Sequence, residues 1–161
     1  EYVQLLGNIN GARCYRWFRR DYISEVKNLL KYKVIVPKAN GSGAIGEVLS
    51  TPLIGTPLIG YTETYISIGL TDSLEEAEAI LKYVKSKFAR TMLGILKVTQ
   101  NNPRETWQYV PLQDFTNCSD IDWSKNIHDI DLQLYAKYGL SDDEIAFIEK
   151  HVKPMDRTAY Y

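Results

Sequence analysis

The sequence predicts an α+β fold, in which a small mixed or antiparallel sheet packs against one long amphipathic helix and a helical hairpin follows at the C-terminus. Three observations predict it: an unbroken helical period over residues 73–98, short β-branched or alternating runs before it, and two capped helical patterns after it. We expect one domain over residues 1–161, with an α+β body at 1–120 and the hairpin at 121–155.

The long helix begins at Ser73, which has the spacing of a capping box with Glu76. Apolar residues then recur at steps of three and four and predict a core-facing stripe of Ala77, Ile80, Leu81, Val84, Phe88, Met92 and Ile95. Leu93 and Leu96 point away from this stripe, so we expect the second half to be packed on two sides. The remaining narrow face is either solvated or an anion-binding surface, and it carries Lys87, Arg90, Gly94 and Lys97.

Shorter runs before the helix predict strands and turns. Residues 1–12 predict a short strand and a turn, and residues 21–32 a short helix or loop whose inward residues are Ile23, Val26, Leu29 and Leu30. KVIVPKA at 33–39 predicts a strand in which Pro37 marks either the end or an edge position. The tandem TPLIG repeat at 51–60 predicts an extended connection with turns, and YTETYISIGL at 61–70 predicts a strand with one wetter face.

Two segments in this region could contact a ligand. RCYRWFRR at 13–20 interleaves arginines with aromatic residues, which suits contact with phosphates and bases because guanidinium groups bind phosphate and stack on rings. The alternative is a half-buried edge strand with outward-facing arginines. Lys38 precedes the loop Asn40-Gly-Ser-Gly43, whose backbone could approach a ligand, although the loop lacks the sequence of a P-loop.

Two helical patterns follow the long helix. Ser124 is a candidate N-cap for the first, and its apolar stripe consists of Ile127, Ile130, Leu134 and Tyr138. Gly139 followed by Leu140 is typical of a helix C-terminus, and Ser141 with Glu144 has the spacing of a second capping box. The second helix is acidic, which does not suit a helix that enters a phosphate-lined groove.

Charge is segregated along the chain although the net charge is only −1. Residues 13–38 hold eight Lys/Arg and two acids, and residues 82–104 hold six Lys/Arg and no acid, so each block carries +6. Residues 39–81 hold six acids and no Lys/Arg, and residues 105–161 hold eleven acids and five Lys/Arg, so each carries −6. Folding could gather the basic blocks into one surface, or pair them with the acidic blocks.

The sequence contains no pattern typical of a catalytic or metal site. His128 and His151 lack metal-ligand spacing, and Asp120 and Asp122 could either hold a divalent cation or simply precede a helix. The two cysteines, Cys14 and Cys118, predict free thiols in a reducing compartment. We therefore expect a binding domain with no catalytic residue, no metal site and no cofactor of its own. The sequence contains no apolar run of about 20 residues, so it predicts no membrane span.

Six ordered segments carry a resemblance to a known family: KYKVIVPKANGSG (31–43), TPLIGYTETYISIG (56–69), KSKFARTMLGILKVTQN (85–101), YVPLQDF (109–115), DIDWS (120–124) and LYAKYGLSDDEIAFIEKHVKPM (134–155). Together they resemble the C-terminal target-recognition region of type II, IIG-like restriction–modification enzymes that methylate adenine in DNA. Some of these enzymes fuse methyltransferase and endonuclease in one chain. The resemblance covers roughly residues 30–155 and implies sequence-specific DNA recognition.

The adenine-methylation motif Asn/Asp-Pro-Pro-Tyr/Phe and a glycine-rich cofactor loop do not occur in these 161 residues. The resemblance therefore implies that methyl transfer, and any cleavage, lie upstream in a longer polypeptide, which fits a chain that starts at Glu1 without methionine. That enzyme would use S-adenosylmethionine, and Mg²⁺ if it cleaves. The expected partners are double-stranded DNA and the methyltransferase domain of the same polypeptide, with no membrane, and the expected location is the cytoplasm.

Side-chain chemistry, rather than the resemblance, selects the candidate DNA contacts. The candidates for phosphate contact are Lys87, Arg90, Lys97 and Arg104, with a second strip of Arg13, Arg16 and Arg19. The candidates for base reading are Lys38, Asn40, Ser42, Thr62, Glu63 and Thr64. An alternative is a protein-docking module that uses its acidic C-terminal helices and does not contact DNA. A third hypothesis is a metal-dependent nuclease using Asp120 and Asp122.

Overall fold

The computed structural model describes residues 1–24, 26–39, 45, 49–95 and 104–155, without the side chain of Arg104. Within these residues the chain forms two three-stranded sheets and four α-helices, so the predicted α+β class is confirmed. No helix of the described residues combines the length and the apolarity needed to cross a bilayer.

The first sheet is built on a hairpin of β1 (Tyr2–Ile9) and β2 (Ala12–Arg19), with β5 (Ile59–Tyr61) parallel to β1 on its other side. Asn10 and Gly11 connect the two hairpin strands with φ angles of 51° and 81°. Two central residues with positive φ form the turn whose twist matches paired strands, and Asn-Gly is its preferred sequence. Because the strand order is β2-β1-β5, the arginine-rich β2 is an edge strand, as in the alternative interpretation above.

The second sheet is antiparallel, with β3 (Tyr32–Pro37) between β4 (Leu53–Gly55) and β6 (Tyr65–Thr71). The two identical TPLIG copies thus contribute to different sheets, since the first supplies β4 and the second supplies part of β5. The sheets pack together through a buried cluster of Leu6, Ile35, Leu53 and Tyr65. The strand predicted over 61–70 is divided, because residues 62–64 form a turn between β5 and β6.

The single long helix predicted from Ser73 is wrong, because the chain forms α1 (Leu74–Lys85) and α2 (Lys87–Ile95). Ser73 caps α1 as predicted, but Glu76 accepts a hydrogen bond from Thr71 Oγ1. The break lies at Ser86, which ends α1 with ψ 149° and whose hydroxyl accepts a hydrogen bond from the N–H of Ala89. A buried serine therefore caps the second helix.

The side chains of α2 are buried largely as predicted. Phe88 is buried between α1, α3 and α4, and Met92 packs against the same cluster. Leu93 is completely buried in the cluster beneath the second sheet, so the predicted packing of this half on two sides is confirmed. Ile95, the last residue of the predicted stripe, is 65% exposed, so the stripe ends before it.

The C-terminal helices form the predicted hairpin: α3 (Ile127–Lys137) and α4 (Asp142–His151). Asn126, rather than the predicted Ser124, caps α3 by accepting a hydrogen bond from the N–H of Asp129. Gly139 has a φ of 64°, and the N–H groups of Gly139 and Leu140 donate to carbonyls of the last turn, as predicted. The capping box of α4 is confirmed in both directions.

Three 3₁₀ helices complete the described chain: Arg20–Tyr22, Lys27–Leu30 and Arg104–Tyr109. Of the four residues predicted to point inward between 21 and 32, Leu29 is buried and Ile23 is half-buried. The prediction is wrong for Val26 and Leu30, which are 45% and 50% exposed.

The helices build the rest of the core. Val34 and Val36 of the second sheet pack with Ile80, Val84 and Leu93 of the first two helices. A second helical cluster joins α1 and α2 to the C-terminal hairpin, and it consists of Tyr83, Phe88, Ala89, Ile121, Ile130, Leu134, Tyr135, Ile148 and Val152.

Candidate nucleic-acid interface

A polar turn brings four of the predicted base-reading residues together. Thr62, Glu63 and Thr64 are all exposed between β5 and β6, and the two threonine hydroxyls lie 2.8 Å apart. Lys38, which follows β3, is exposed and donates its backbone N–H to the carbonyl of Thr64 at 2.9 Å. We call Lys38 and Thr62–Thr64 the polar turn. It presents one ammonium group, one carboxylate and two hydroxyls to solvent, which are groups that can hydrogen-bond to base edges.

The polar turn is attached to the end of β1. Thr62 donates its N–H to the carbonyl of Leu6 at 2.9 Å, and the hydroxyl of Tyr65 donates to the carbonyl of Gly7 at 3.4 Å. Gly7 is paired with Cys14, the neighbour of Arg13. Arg13 therefore lies at the same end of the hairpin as the polar turn, and its Nη2 donates to the carbonyl of Thr51 at 2.7 Å.

The three predicted arginines of the hairpin are spread along β2. Arg16 and Arg19 are exposed and Arg13 is half-buried. At about 3.3 Å per residue, the strand separates Arg13 from Arg19 by about 20 Å. Arg13 and Arg19 share one face of the sheet and Arg16 lies on the other, because side chains alternate along a strand. The strip is therefore long, and Arg16 approaches a ligand from a different side.

Two arginines at the open end of the hairpin are engaged with acids. Arg19 Nε donates to Asp21 at 3.1 Å, and Arg20 Nη1 donates to Glu1 at 2.9 Å. The hydrogen bond from Arg19 lowers the pKa of the Asp21 carboxyl below its ordinary value. All four residues are accessible to water, so these ion pairs contribute little and can exchange for a phosphate.

Lys87 does not lie on an open surface, as a phosphate contact would require. Its side chain is 9% exposed, and its ammonium pairs with the Glu149 carboxylate on α4. Glu149 also accepts a hydrogen bond from the hydroxyl of Tyr135 at 3.0 Å. The lysine thus links α2 to the C-terminal hairpin, and a phosphate could reach it only by displacing this pair.

Arg90 is likewise a structural residue rather than a surface cation, and its prediction as a phosphate contact does not fit its burial. Only 2% of the residue is exposed. Its Nε donates to the carbonyls of Lys85 and Ser86, at 3.0 and 3.3 Å, and its Nη2 donates to the carbonyl of Lys153 at 2.7 Å. The guanidinium therefore binds backbone acceptors at the end of α1 and beyond the end of α4.

The basic block at 82–104 is largely used inside the fold. Besides Lys87 and Arg90, Lys85 is buried, and the Lys82 ammonium donates to the carbonyls of Trp123 and Lys125 at 2.8 and 2.9 Å. The block at 13–38 also pairs in part, since Lys31 forms an ion pair with Asp72. Both alternatives for the charge blocks thus apply. The described cations of the block at 82–104 are mostly buried or bonded within the fold, whereas the block at 13–38 stays exposed in part. Asn40, Ser42, Lys97 and the side chain of Arg104 lie outside the described residues.

An acidic groove of about 1100 Å³ lies between α1 and residues 115–124. Five carboxylate residues and one lysine line it, and Glu75, Glu78, Asp120 and Asp122 are among them. Asp120 pairs with Lys137, and Asp122 accepts hydrogen bonds from Ser124 that lower its pKa. Within the described part of the chain, no group of three His, Cys, Asp or Glu residues is placed to hold a metal ion. Cys14 and Cys118 are free thiols.

Tyr2 and Tyr22 join the exposed aromatic residues of β2, and the local sequence patterns do not predict this. Tyr2 is opposite Arg19 in the hairpin, and the Arg19 guanidinium lies 4.8 Å from the centre of the Tyr22 ring. The Asn10-Gly11 pair could have revealed the first of these neighbours, because a two-residue turn fixes the register of the strands.

Comparison with known proteins adds no family: no protein-family model, no curated protein and no solved structure matches the chain.

Proposed function

We propose that this chain is the target-recognition domain of an adenine-specific restriction–modification enzyme. In this role it holds duplex DNA in register for methylation or cleavage by other domains of a longer polypeptide. Two things support the proposal: the six ordered segments that resemble such regions, and the exposed polar and basic groups at one end of the two sheets. Methyl transfer with S-adenosylmethionine, and any Mg²⁺-dependent cleavage, would belong to those other domains.

The observation that carries the proposal is the polar turn. Lys38 and the Thr62–Thr64 segment are separated by more than twenty residues of sequence, yet a backbone hydrogen bond of 2.9 Å joins Lys38 to Thr64. All four side chains are exposed, and the two sheets below hold them on a rigid base. A carboxylate accepts hydrogen bonds from cytosine amines, and lysine donates to guanine, so this set can distinguish base pairs in the major groove.

The hairpin supplies the phosphate contacts in this proposal. Arg13 lies at the same end of β1 as the polar turn, and Arg16 and Arg19 continue along β2. Phosphate contacts fix the position of a protein on the duplex, while contacts to base edges select the sequence. The acidic groove beside α1 would face away from the DNA, since its carboxylates repel phosphate.

Binding of the isolated chain to fluorescein-labelled duplex DNA, followed by anisotropy over a range of salt concentrations, tests this proposal. Three described cations are placed against phosphates in this proposal: Arg13, Arg16 and Arg19. If all three neutralise phosphates, the logarithm of the association constant falls with the logarithm of salt concentration with a slope of about −3. A slope near zero would contradict the assignment.

Base reading by Glu63 needs a separate experiment. A pool of duplexes with randomised sequence is enriched by the wild-type chain and by Glu63→Ala. We expect the variant to lose its preference at one base pair, by about 1–3 kcal/mol of discrimination. Asp142→Ala, an exposed acid on α4, serves as the matched control and should select the same sequences as the wild type. Identical selection by Glu63→Ala would remove Glu63 from the reading set.

The acidic groove favours a second candidate, a protein-docking module within the same enzyme. Its five carboxylate residues suit a lysine- or arginine-rich segment. In that case the chain would bind a lysine-rich peptide, and Glu75→Gln with Glu78→Gln would weaken this binding. Duplex DNA would then not bind at any salt concentration, which separates the two candidates.

A further inference from the structure

Four side chains form an exposed surface at the open end of the β1–β2 hairpin, and we call them the arginine–aromatic face: Tyr2, Trp17, Arg19 and Tyr22. Trp17 and Tyr22 are each 69% exposed and Tyr2 is 60% exposed. Large rings this accessible, close together on one surface, are unusual on a protein that has nothing to bind there.

The strand register places these residues together. Tyr2 pairs with Arg19 and Gln4 pairs with Trp17, so Tyr2, Trp17 and Arg19 point to the same face, with Tyr2 and Trp17 as diagonal neighbours. Tyr22 follows β2, and its ring lies under the Arg19 guanidinium at 4.8 Å. The Tyr22 ring also contacts Phe18, whose ring centre is 6.3 Å away in an edge-on geometry.

Guanidinium groups border this face. A shallow cleft of about 460 Å³ is lined by Glu1, Tyr2, Arg19, Arg20 and Asp21. The two arginines pair with the two acids, and these pairs are exposed to water. A phosphate could replace either carboxylate at little cost, because exposed ion pairs contribute about 0–1 kcal/mol. The face therefore offers open rings next to cations that can accept an anion.

This combination suits a ligand that carries flat rings and phosphates together. In a duplex each base stacks on its neighbours, so its ring faces are closed to a protein surface, whereas the bases of a single strand can stack on aromatic side chains. Stacking on tyrosine and tryptophan requires no particular base. Tryptophan, tyrosine and arginine are also enriched at protein interfaces, but the shallow cleft beside the rings and its exchangeable ion pairs favour a ligand that carries phosphates.

We propose that the arginine–aromatic face binds single-stranded nucleic acid, stacking unpaired bases on Trp17, Tyr2 and Tyr22 while Arg19 and Arg20 contact phosphates. This site is distinct from the polar turn, and it does not depend on duplex recognition although it shares Arg19 with the phosphate contacts proposed for the duplex. The polar turn reads base edges from an intact groove, and the arginine–aromatic face takes bases that are already unpaired.

Binding of fluorescein-labelled oligothymidylate of about 12 nucleotides, a length within the range that single-strand-binding surfaces cover, tests the proposal by anisotropy. The intrinsic tryptophan emission of the chain is recorded in the same titration. We expect oligothymidylate to bind and to quench the exposed Trp17. Trp17→Ala should weaken binding about tenfold, whereas Trp17→Phe, which keeps a ring, should lose about threefold or less.

Tyr109→Ala is the matched control, because Tyr109 is an exposed tyrosine outside this face, and it should bind as the wild type does. Trp17 is so exposed that its replacement should leave the fold intact, which circular dichroism checks. The chain has three tryptophans, so loss of the quenching in Trp17→Phe assigns it to Trp17 rather than to Trp107 or Trp123. Equal binding by Trp17→Ala, or binding without quenching, would overturn the proposal.

The same titration with duplex DNA and with anionic vesicles separates the remaining explanations. Duplex binding without oligothymidylate binding would overturn this inference and leave the proposed recognition function standing. Oligothymidylate binding without duplex binding would support the inference and contradict duplex recognition. A shift of Trp17 emission with vesicles of phosphatidylserine and phosphatidylcholine, and none with oligothymidylate, would identify a membrane-binding face and overturn the inference.

Discussion

Asp131 of α3 caps the helix that contains Phe88: its carboxylate accepts the backbone N–H of Phe88 at 2.9 Å and that of Lys87 at 3.1 Å. The residue is 1% exposed. The start of a helix carries unpaired N–H groups and partial positive charge, so a carboxylate from another helix can complete it. This contact makes the helix break at Ser86 a junction with α3.

The Asp131 cap predicts a distinctive dependence of stability on pH. Burial raises the pKa of the Asp131 carboxyl from 3.8 to about 6, against the lowering effect of the two N–H donors. The folded state therefore binds a proton more tightly than the unfolded state, and this contribution to stability is present below about pH 4 and lost as pH rises through 6.

Comparison with Asp131→Asn isolates this contribution, because asparagine keeps an acceptor oxygen and does not titrate. The free energy of unfolding of the wild type, minus that of Asp131→Asn, should fall by about 2–3 kcal/mol between about pH 4 and pH 7. Urea unfolding at several pH values measures it. A constant difference, or one that grows with pH, would show that the carboxylate is not held in a desolvated site.

The buried position of Arg90 predicts that its replacement lowers the stability of the fold without changing its affinity for duplex DNA. Arg90→Lys keeps the positive charge but cannot reproduce the planar set of donors to Lys85, Ser86 and Lys153. We expect it to lower the free energy of unfolding by about 2–4 kcal/mol, because buried carbonyls lose their donors. Duplex affinity, measured by anisotropy at a temperature where the variant is folded, should equal that of the wild type. Loss of affinity without loss of stability would restore Arg90 as a phosphate contact.

The N-terminus of α3 predicts unequal effects at two neighbouring polar residues. Asn126→Ala removes the acceptor for the N–H of Asp129 and should cost about 1 kcal/mol of stability. Ser124→Ala removes only a hydrogen bond from an exposed hydroxyl to Asp122 and should change stability by about 0.5 kcal/mol or less. Thermal unfolding of both variants measures the contrast. If Ser124→Ala proved the more damaging, the helix would begin earlier than described.

Lys33 predicts a stability change at alkaline pH. The residue is fully buried on β3, its ammonium donates to the carbonyls of Lys31 and Thr56, and burial lowers its pKa from 10.5 to about 8. The unfolded state therefore binds more protons between these values, so stability should rise with pH in this window. Relative to Lys33→Met, the wild type should gain about 1–3 kcal/mol between about pH 8 and pH 10. A loss of stability of the wild type relative to Lys33→Met over this pH range would contradict a desolvated ammonium.

Local sequence patterns predicted much of the fold correctly. Ser73, Ser141 and the Gly139-Leu140 pair mark helix ends through hydrogen bonds within a few residues, and such bonds are readable from spacing alone. The strand predicted over 33–39 from its β-branched run is found at Tyr32–Pro37. These features depend on neighbours in the chain, so tertiary contacts did not change them.

The predictions that failed depended on distant residues. The basic face at Lys87 and Arg90 was read from a single helical axis, whereas Ser86 breaks that axis and Asp131, more than forty residues away, stabilises the break. Charge alone does not reveal that a lysine meets Glu149 or that a guanidinium meets backbone carbonyls. The side chains of the polar turn were predicted as candidate contacts from their residue types, but the contact of this turn with β1 follows only from how the two sheets pack.

The most direct test of the recognition proposal is the salt dependence of duplex binding in a variant that carries Arg16→Gln and Arg19→Gln. Each exposed cation that contacts phosphate contributes about 0.9 to the slope of log association constant against log salt, so the slope should become shallower by about 2. The control carries Lys150→Gln and Lys153→Gln at exposed positions near the C-terminus and should keep the wild-type slope. An unchanged slope in the first variant, or an equal change in both, would contradict duplex binding at the hairpin.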